Sequence, residues 1–479
     1  MSDQLHYMTI SELAPLIRDR KLSSAELTEA VLARIGQLDD RLAAFITVTV
    51  DQARSQAAQA DEKIARGLYH GPLHGIPVGL KDLFDVAGIP CTFGSKIWRG
   101  RVPTQDSTAA RRMREAGAVL VGKHNLHEFA HGPTNENPHF GTVHNPWMLE
   151  RIAGGSSGGT ASAIAAGLST AGLGSDTGGS VRIPASLCGI VGIKPTYGRI
   201  SRHGMLPASW SLDHAGAMAR SVLDCALVLQ TVSGFDPLDP STSRRPVPDF
   251  TFDLEAGVRG LRLGVPSNHF FDALEPDVAS VVETAIGILQ SLGARLVKVS
   301  LPNLSYGPSA VEAISCSERC SWHDQWMKER PQDYGIDVLR RMRVGVLVRA
   351  TEYINAQKIR AVIQSDFSTA FRQVDAIITP TTAMVAPPIG KTFQPCGPAA
   401  LVPRHTLARL TQAASLAGIP ALSLPCGLSD GLPVGLQIMG PSWQEAAVFR
   451  VARAYERETD WHLRRPEIAA DSRYSRPFQ

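Results

Sequence analysis

Three side chains in this sequence could together cleave an amide bond: Lys81, Ser156 and Ser180. Ser156 lies in the glycine-rich stretch GGSSGG, Ser180 follows a second pair of glycines, and Lys81 is embedded in the apolar stretch GIPVGLKDLFDV. A serine hydroxyl becomes a strong nucleophile only when a base removes its proton. Lysine can be that base when burial lowers its pKa and leaves the amine neutral, although a lysine in an apolar stretch often extends its amine to water. The three residues therefore predict an amide hydrolase that works without histidine.

The glycines around these serines predict two tight turns that can bind an anion. The turns are residues 154–159 and 177–180, and the small residues between them are expected to form one helix. Glycine adopts backbone angles that other residues avoid, so consecutive amides in such a turn can converge on one oxygen. If Ser180 attacks a carbonyl carbon, the expected donors to the resulting oxyanion are the amides of Thr177, Gly178, Gly179 and Ser180.

Three other motifs compete with this interpretation. The residues around Ser156 match the G-x-S-x-G nucleophile elbow, which requires a strand before it and an acid and a histidine after it. The preceding PWMLERIA is not strand-like, so the elbow is not expected. A phosphate-binding loop would end in Gly-Lys-Ser/Thr, whereas Thr160 follows glycine directly. Cys316, Cys320 and His323 lack a second ligand pair at zinc-site spacing, and buried thiols on a helix are the expected explanation.

Length and composition are those of an ordinary globular protein. The chain has 479 residues, of which 44% are hydrophobic and 19% charged, and its formal net charge is +3. No basic block or basic–aromatic alternation is present, so direct binding of nucleic acid is not expected. Seven scattered cysteines, an odd number, favour a reducing compartment. With neither a secretory signal nor a strongly apolar run of about 18 residues, we expect a cytoplasmic protein without a membrane partner.

The order of the elements predicts an α/β fold with a single large mixed β-sheet surrounded by helices. An N-terminal helical segment is expected at about 1–70, with helix starts near Ser11 and Ser23. Short β-branched segments then alternate with helices, and the expected strands are IPVGL, AVLVG, IVGIKP, LRLGVP, ARLVKV, DAIITP, ALSLP and VGLQIMG. Residues 233–257 are rich in proline, aspartate and serine and predict a surface connection. We expect one domain over 1–479, with a core at about 71–232 and an excursion at about 270–370.

The chain closely resembles the amidase signature family over most of its length, most densely between about 71 and 225. The segments that carry the resemblance are GPLHGIPVGLKD (71–82), AGAVLVGKHNLHEFA (116–130), NPW (145–147), the serine and glycine block (154–185), CGIVGIKPTYGRIS (188–201), SLDHAG (211–216), DAIITPTT (375–382), LAGIPALSLPCG (416–427) and DGLPVGLQIMG (430–440). The lysine and the two serines occur in the family's order and spacing. The resemblance implies the family's mixed-sheet fold and neither a metal nor an organic cofactor.

The resemblance also implies a role for each of the three residues. Ser180 would be the acylated nucleophile, Ser156 would relay its proton and later protonate the leaving amine, and Lys81 would be the final base. A cis peptide bond is implied between Gly155 and Ser156.

Further positions are assigned by the same resemblance. Ser157 would support the first turn, and Arg182 would hold the nucleophile turn by hydrogen bonding. Substrate-binding positions match Ala130, His131 and Gly132.

The substrate implied by the resemblance is a small or medium amide, hydrolysed by a stand-alone amidase. Aryl amides, carbamates and urea-like compounds are reachable by the same chemistry, because only the pocket distinguishes them. The family's glutamine-hydrolysing branch, the A subunit of glutamyl-tRNA(Gln) amidotransferase, has an aspartate for the glutamine amine where this chain has Ala408. An arginine for the glutamine carboxylate persists at Arg340 or Arg341.

Two alternatives stay open at this point. The first is that the chain is the glutamine-hydrolysing A subunit, bound to partner subunits. The second is a catalytically silent assembly protein on the same scaffold. A homodimer is compatible with either enzymatic function.

Overall fold

Fifteen strands are formed by the parts of the chain that the computed structural model describes, which are residues 2–397 and 399–468. They are β1 Phe45–Val48, β2 Pro77–Lys81, β3 Val119–His124, β4 Glu136–Asn137, β5 Gly141–Thr142, β6 His144–Asn145, β7 Met148–Ile152, β8 Ala171–Asp176, β9 Val191–Lys194, β10 His214–Ala219, β11 Arg262–Pro266, β12 Arg295–Val299, β13 Ala376–Pro380, β14 Ala421–Ser429 and β15 Leu432–Met439. Eleven of them form one sheet in the order β1-β3-β2-β8-β10-β9-β14-β15-β13-β11-β12. The pairs β2–β3, β2–β8, β11–β12 and β11–β13 are parallel and the other pairs antiparallel, which confirms the expected mixed sheet.

Helices pack around this sheet. They are α1 Ile10–Arg18, α2 Ser24–Leu42, α3 Val50–Ala65, α4 Thr108–Glu115, α5 Gly158–Ala165, α6 Arg182–Cys188, α7 Val222–Val232, α8 Pro276–Ser291, α9 Gly307–Glu329, α10 Ile336–Leu347, α11 Ala350–Ala370, α12 Pro403–Thr406, α13 Gln412–Ala417 and α14 Glu445–Arg457. Helix α2 begins as predicted, because Ser23 and Glu26 cap each other's backbone amides. Helix α1 begins after Thr9, which forms the same box with Glu12, so the start predicted at Ser11 was wrong by two residues.

The N-terminal region is not wholly helical. Strand β1 lies between α2 and α3 and pairs antiparallel with β3 at the edge of the sheet. It spans only four residues, too few to show the alternation that identifies a strand in sequence. Its pairing partner is about 75 residues further along the chain, so tertiary contacts rather than local preference determine it.

Two central strands, β8 and β10, were also absent from the predicted set. Their sequences, AGLGSD and HAGAMA, contain almost none of the β-branched residues that favour strands. They lie side by side and are fully buried, and their small residues let neighbouring backbone approach closely. The stretch between the two serine turns is therefore one helix, α5, followed by one strand, β8, instead of the single helix expected.

The region after residue 232 was expected to contain a surface connection and then an excursion from the core. Residues 233–261 form no helix or strand. Helices α9, α10 and α11 lie within the range of the expected excursion, about 270–370, but β12, within the same range, belongs to the main sheet. We propose that the chain is one domain, because its largest buried hydrophobic cluster includes both Ile10 and Tyr455.

A methyl group added at Gly174 should destabilise the fold. A Cβ there would lie 2.8 Å from Ser157 Oγ and 3.0 Å from Ser157 Cβ, so the start of α5 would have to move. We expect Gly174→Ala to lower the free energy of unfolding by roughly 1–3 kcal/mol, measured by urea denaturation.

The matched control is Gly287→Ala in α8, where a Cβ would meet nothing within 4 Å. It should leave stability unchanged or raise it by up to about 1 kcal/mol, because alanine is the better helix former. Equal unfolding midpoints for the two variants would contradict the close packing described for β8.

Candidate active site

Lys81 is the last residue of β2 and is fully buried. Its Nζ contacts three serine hydroxyls, Ser156 at 2.7 Å, Ser157 at 2.9 Å and Ser175 at 2.9 Å. Burial lowers the pKa of Lys81 well below its ordinary range, and the carboxylates of Asp176 and Asp213 oppose this only in part. A neutral amine has two N–H bonds and one lone pair, so it can donate to two of these hydroxyls and accept from the third.

The sheet explains why this lysine reaches these serines. Strands β2 and β8 are neighbours and run parallel, so their carboxyl ends meet at the same edge. Ser175 is the penultimate residue of β8, and its amide donates to Ser157 Oγ at 3.3 Å. Sequence reasoning missed Ser175, since β8 itself was not predicted.

The first serine turn is held from several sides. The peptide bond Gly155–Ser156 is cis, as the resemblance implied. The carbonyl of Ser156 accepts from the His127 amide at 3.2 Å, and the carbonyl of Ser180 accepts from the Ser157 amide at 3.2 Å. The second of these bonds joins the two serine turns directly.

The second turn, around Ser180, is organised by a buried ion pair between Asp176 and Arg182. Of these two residues, only Arg182 was assigned a role in the sequence analysis. The Asp176 carboxylate accepts from the amides of Gly179 at 2.8 Å and Val181 at 3.2 Å. It also accepts from Arg182 Nε at 3.0 Å and Arg182 Nη2 at 2.9 Å, and both side chains are fully buried. Burial alone would raise the pKa of Asp176, but the Arg182 guanidinium beside it holds that pKa well below its usual range. Arg182 therefore holds the turn, as expected, through a carboxylate that bonds the turn's amides.

A cavity of about 70 Å³ opens onto these turns. The residues of the predicted site that line it are Gly155, Thr177, Gly178, Ser180, Ala130, His131 and Gly132. The Gly179 amide is already donated to Asp176, whereas the amides of Thr177 and Gly178 donate no hydrogen bond within residues 2–397 and 399–468. The structure thus brings to one cavity the predicted nucleophile, three of the four residues whose amides were expected as oxyanion donors (Thr177, Gly178 and Ser180) and the predicted substrate-binding positions.

Ser180 lines this cavity, and its hydroxyl makes no hydrogen bond to another described residue. Hydrogen bonds between catalytic groups are often long before substrate binds. Lys81 and Ser156 are joined directly, and Ser180 is joined to them through the backbone of Ser157.

The structure does not support the nucleophile-elbow alternative. A strand does precede Ser156, contrary to expectation, but this strand, β7, pairs only with β6 in a small separate sheet. In the described part of the chain no histidine ring hydrogen-bonds to Ser156 or Ser180.

Two of the residues considered, and not favoured, as zinc ligands make other contacts. His323 Nδ1 bonds the Tyr334 hydroxyl at 2.9 Å, and Cys316 Sγ donates to Glu312 at 3.3 Å. Among the described residues, no group of three or more histidine, cysteine, aspartate or glutamate side chains could hold a metal ion. None of the helices in the same part of the chain combines the length and hydropathy needed to cross a bilayer.

Comparison with known proteins assigns the family. A family model described as Amidase matches residues 26–449. The A subunit of glutamyl-tRNA(Gln) amidotransferase from Roseiflexus sp. (strain RS-1) is 41% identical, over 98% of this chain and 99% of that protein. The crystal structure of the same enzyme's A subunit from Thermotoga maritima has a TM-score of 0.81 and 36% identity, over 95% of each chain.

A second solved structure is also similar. It is described as a vestigial protein complex that reveals the evolutionary origins of an s-triazine catabolic enzyme, and it has a TM-score of 0.90 and 38% identity, over 94% of this chain and 98% of that chain. Family model, relatives and structures agree across nearly the whole chain, and this protein belongs to the amidase signature family.

Proposed function

We propose that this protein hydrolyses a small linear amide through an acyl-enzyme on Ser180, with Ser156 and Lys81 carrying the proton. The observation that carries the proposal is the 2.7 Å contact between Lys81 Nζ and Ser156 Oγ, both fully buried, next to a cavity that Ser180 lines. A neutral amine bonded to a hydroxyl can take its proton, which is the activation that a serine nucleophile requires. We place this activity in the cytoplasm, because the seven scattered cysteines of the sequence favour a reducing compartment.

The first half of the reaction forms the acyl-enzyme. Ser180 Oγ attacks the amide carbon and passes its proton to Ser156, whose own proton moves to Lys81 Nζ. The cavity-lining amides of Thr177 and Gly178 donate to the oxyanion. The Gly179 amide, also expected as a donor, joins them only if its bond to Asp176 opens.

The second half releases the products. The C–N bond breaks as Ser156 returns a proton to the leaving nitrogen, which departs as ammonia or an amine. Water then attacks the acyl-enzyme, and the same relay takes up its proton. One amide and one water give one carboxylic acid and one molecule of ammonia or amine, so the reaction balances without a further reactant.

Substrate size follows from the cavity. We propose that Ala130, His131 and Gly132 contact the substrate beside the scissile bond, since all three line the cavity with Ser180. A volume of about 70 Å³ is far below the ~300–1,000 Å³ of pockets for drug-sized ligands, which supports a small substrate.

Glutamine hydrolysis within a tRNA-dependent amidotransferase is the second candidate. The comparisons support it better than a stand-alone amidase, because relatives named as the A subunit of that enzyme match this chain from end to end at 41–43% identity. Arg341, one of two positions expected for the glutamine carboxylate, lines the cavity, and Arg340 does not. Ala408 also lines the cavity, at the position that matches the aspartate by which the glutamine-hydrolysing branch binds the glutamine amine.

Replacing the nucleophile should abolish turnover. We expect Ser180→Ala to lower kcat for any amide substrate by roughly 10⁴-fold or more, because no covalent intermediate can then form. Ser186→Ala, at a buried serine of α6 outside the cavity, is the matched control and should retain activity. Mass spectrometry of a trapped acyl-enzyme should locate the acyl group on Ser180, and an acyl group on Ser156 would overturn the assigned order.

Replacing the base should change the pH dependence. Burial lowers the pKa of Lys81 well below its ordinary value. If Lys81 is the base, kcat/KM should fall tenfold per pH unit only below that lowered pKa, where the amine becomes protonated. We expect Lys81→Ala to slow acylation by roughly 10²–10⁴-fold and to recover partly at high pH, as hydroxide replaces the amine. Lys328→Ala, at an exposed lysine, is the control. An unchanged pH profile in Lys81→Ala would exclude Lys81 as the base.

The two candidate functions differ in their dependence on partners. A stand-alone amidase, purified to a single species by size-exclusion chromatography with light scattering, should hydrolyse small amides at full rate. The A subunit of an amidotransferase should instead release ammonia from L-glutamine at a rate that rises when partner subunits are supplied. Full activity of the lone chain on L-glutamine, unchanged when partner subunits are supplied, would contradict the amidotransferase candidate and leave the stand-alone amidase.

A further inference from the structure

The cavity beside Ser180 carries an unusual amount of positive charge. Three arginines from three different helices line it: Arg319 of α9, Arg341 of α10 and Arg404 of α12. Glu312, at an exposed position of α9, is the one acidic side chain among the described residues that line the cavity. These three guanidinium groups take no part in the proposed proton relay of Ser180, Ser156 and Lys81.

Arg319 is the clearest member of this cluster. Its side chain is 6% exposed, yet its guanidinium makes no hydrogen bond or ion pair with any described residue, and its Nε is fully buried. Burying a charged group without a partner is costly, and such groups in folded proteins are normally paired. The nearby carboxyl of Asp213 does not pair with it, since it accepts from Thr177 Oγ1 and from the amides of Ala208 and Ser209.

Arg341 and Arg404 add to the same positive region. Arg341 donates to the His131 carbonyl and to Asp337 at 2.7 Å, while its Nε is buried without a partner. Burial, Arg404 and Arg319 together lower the pKa of Arg341 to about 10, so the three charges act on one another. The Arg404 guanidinium has no hydrogen-bond or ion-pair partner within the described residues.

The histidines beside the arginines do not add charge. His127 and His131 are buried, and burial followed by the arginine charges lowers both pKa values well below the ordinary range. His131 lines the cavity, and its Nδ1 is buried with no hydrogen-bond partner. The cavity therefore presents charged and neutral groups that lack partners, and all of them can bind an anion.

A cationic group on the substrate would meet the opposite situation. Ala408 and Gln412 line the cavity near the arginines, and neither carries a charge. An ammonium group there would face three guanidinium groups. Only the exposed Glu312 and Asp337, which is already bonded to Arg341, would offset them. Like charges in a partly buried pocket repel each other at close range, so such a substrate is disfavoured.

We propose that Arg319, Arg341 and Arg404 form an anion subsite, and that the substrate is a small amide bearing a carboxylate and no ammonium group. The inference rests on the proposed amide hydrolysis and defines its substrate class. A dicarboxylic acid monoamide meets these requirements, with its carboxylate on the arginines and its amide at Ser180. Arginine suits this task because its planar donors match a carboxylate.

Three probes that differ by one group each test the proposal. Glutaramate has a carboxylate and a primary amide, L-glutamine adds an α-ammonium group, and pentanamide replaces the carboxylate with a methyl group. Charge-assisted hydrogen bonds predict that kcat/KM for glutaramate exceeds that for pentanamide by roughly 10- to 100-fold. Glutaramate should also exceed L-glutamine by roughly tenfold or more.

Variants test whether the arginines cause this selectivity. Arg319→Met keeps an unbranched apolar stem and removes the guanidinium group with its charge, and should reduce the glutaramate-to-pentanamide ratio of kcat/KM towards one. Arg340→Met, at an exposed arginine next to Arg341 that does not line the cavity, should leave the ratio unchanged. If Arg319→Met does not fold, Arg404→Met, at a partly exposed position, provides the same comparison.

Binding provides a readout that does not depend on turnover. Glutarate should bind to Ser180→Ala in calorimetry, with an affinity that falls as salt rises and falls at least tenfold in Ser180→Ala/Arg319→Met. If glutarate binds in this way but no amide is cleaved, the proposed function fails and the anion subsite stands. If amides are cleaved with no preference for glutaramate, or if L-glutamine is the better substrate, the anion-subsite proposal is overturned while the hydrolase proposal stands.

Discussion

The arrangement of the whole site depends on one buried lysine that is surrounded by hydroxyls and not by carboxylates. Lys81 Nζ has three serine oxygens within 2.9 Å and lies at the end of a central strand, with no exposure to solvent. A carboxylate in the same place would pair with the amine and keep it charged. Hydroxyls satisfy its hydrogen bonds without stabilising its charge to the same degree, so burial can lower its pKa.

For Lys81 to lack a carboxylate partner, the carboxylates near it must be bonded to other groups. Asp176 is one residue beyond Ser175, but its oxygens are fully used by Arg182 and by the amides of the nucleophile turn. Asp213 is likewise occupied by Thr177 and by two backbone amides. The ion pair thus has two effects: it shapes the turn that presents Ser180, and it keeps a negative charge from pairing with Lys81. Sheet geometry supports both, because glycines in β8 allow α5 to lie directly against the strand.

Much of this could be predicted from sequence, and the failures have physical causes. Eight expected strands form, since β-branched residues favour strands wherever they are buried. Strands β8 and β10 were missed because alanine and glycine form strands only when close packing demands them. Lys81, Ser156 and Ser180 could be proposed from sequence because glycine turns and a lysine in an apolar stretch are visible there. Arg319 and Arg404 were missed because they lie on separate helices about 85 residues apart, and only the fold brings them to one cavity.

The central claim is that Lys81 is a neutral amine in the resting enzyme. NMR titration of protein labelled with ¹³C and ¹⁵N at lysine, in the Ser180→Ala background, measures this directly, with Lys81→Ala identifying the resonance. The account predicts that Lys81 Nζ titrates well below the ordinary lysine value of about 10.4, so that it is neutral at neutral pH. An Nζ that stays protonated up to that ordinary value would contradict it, because a charged ammonium cannot accept the proton of Ser156.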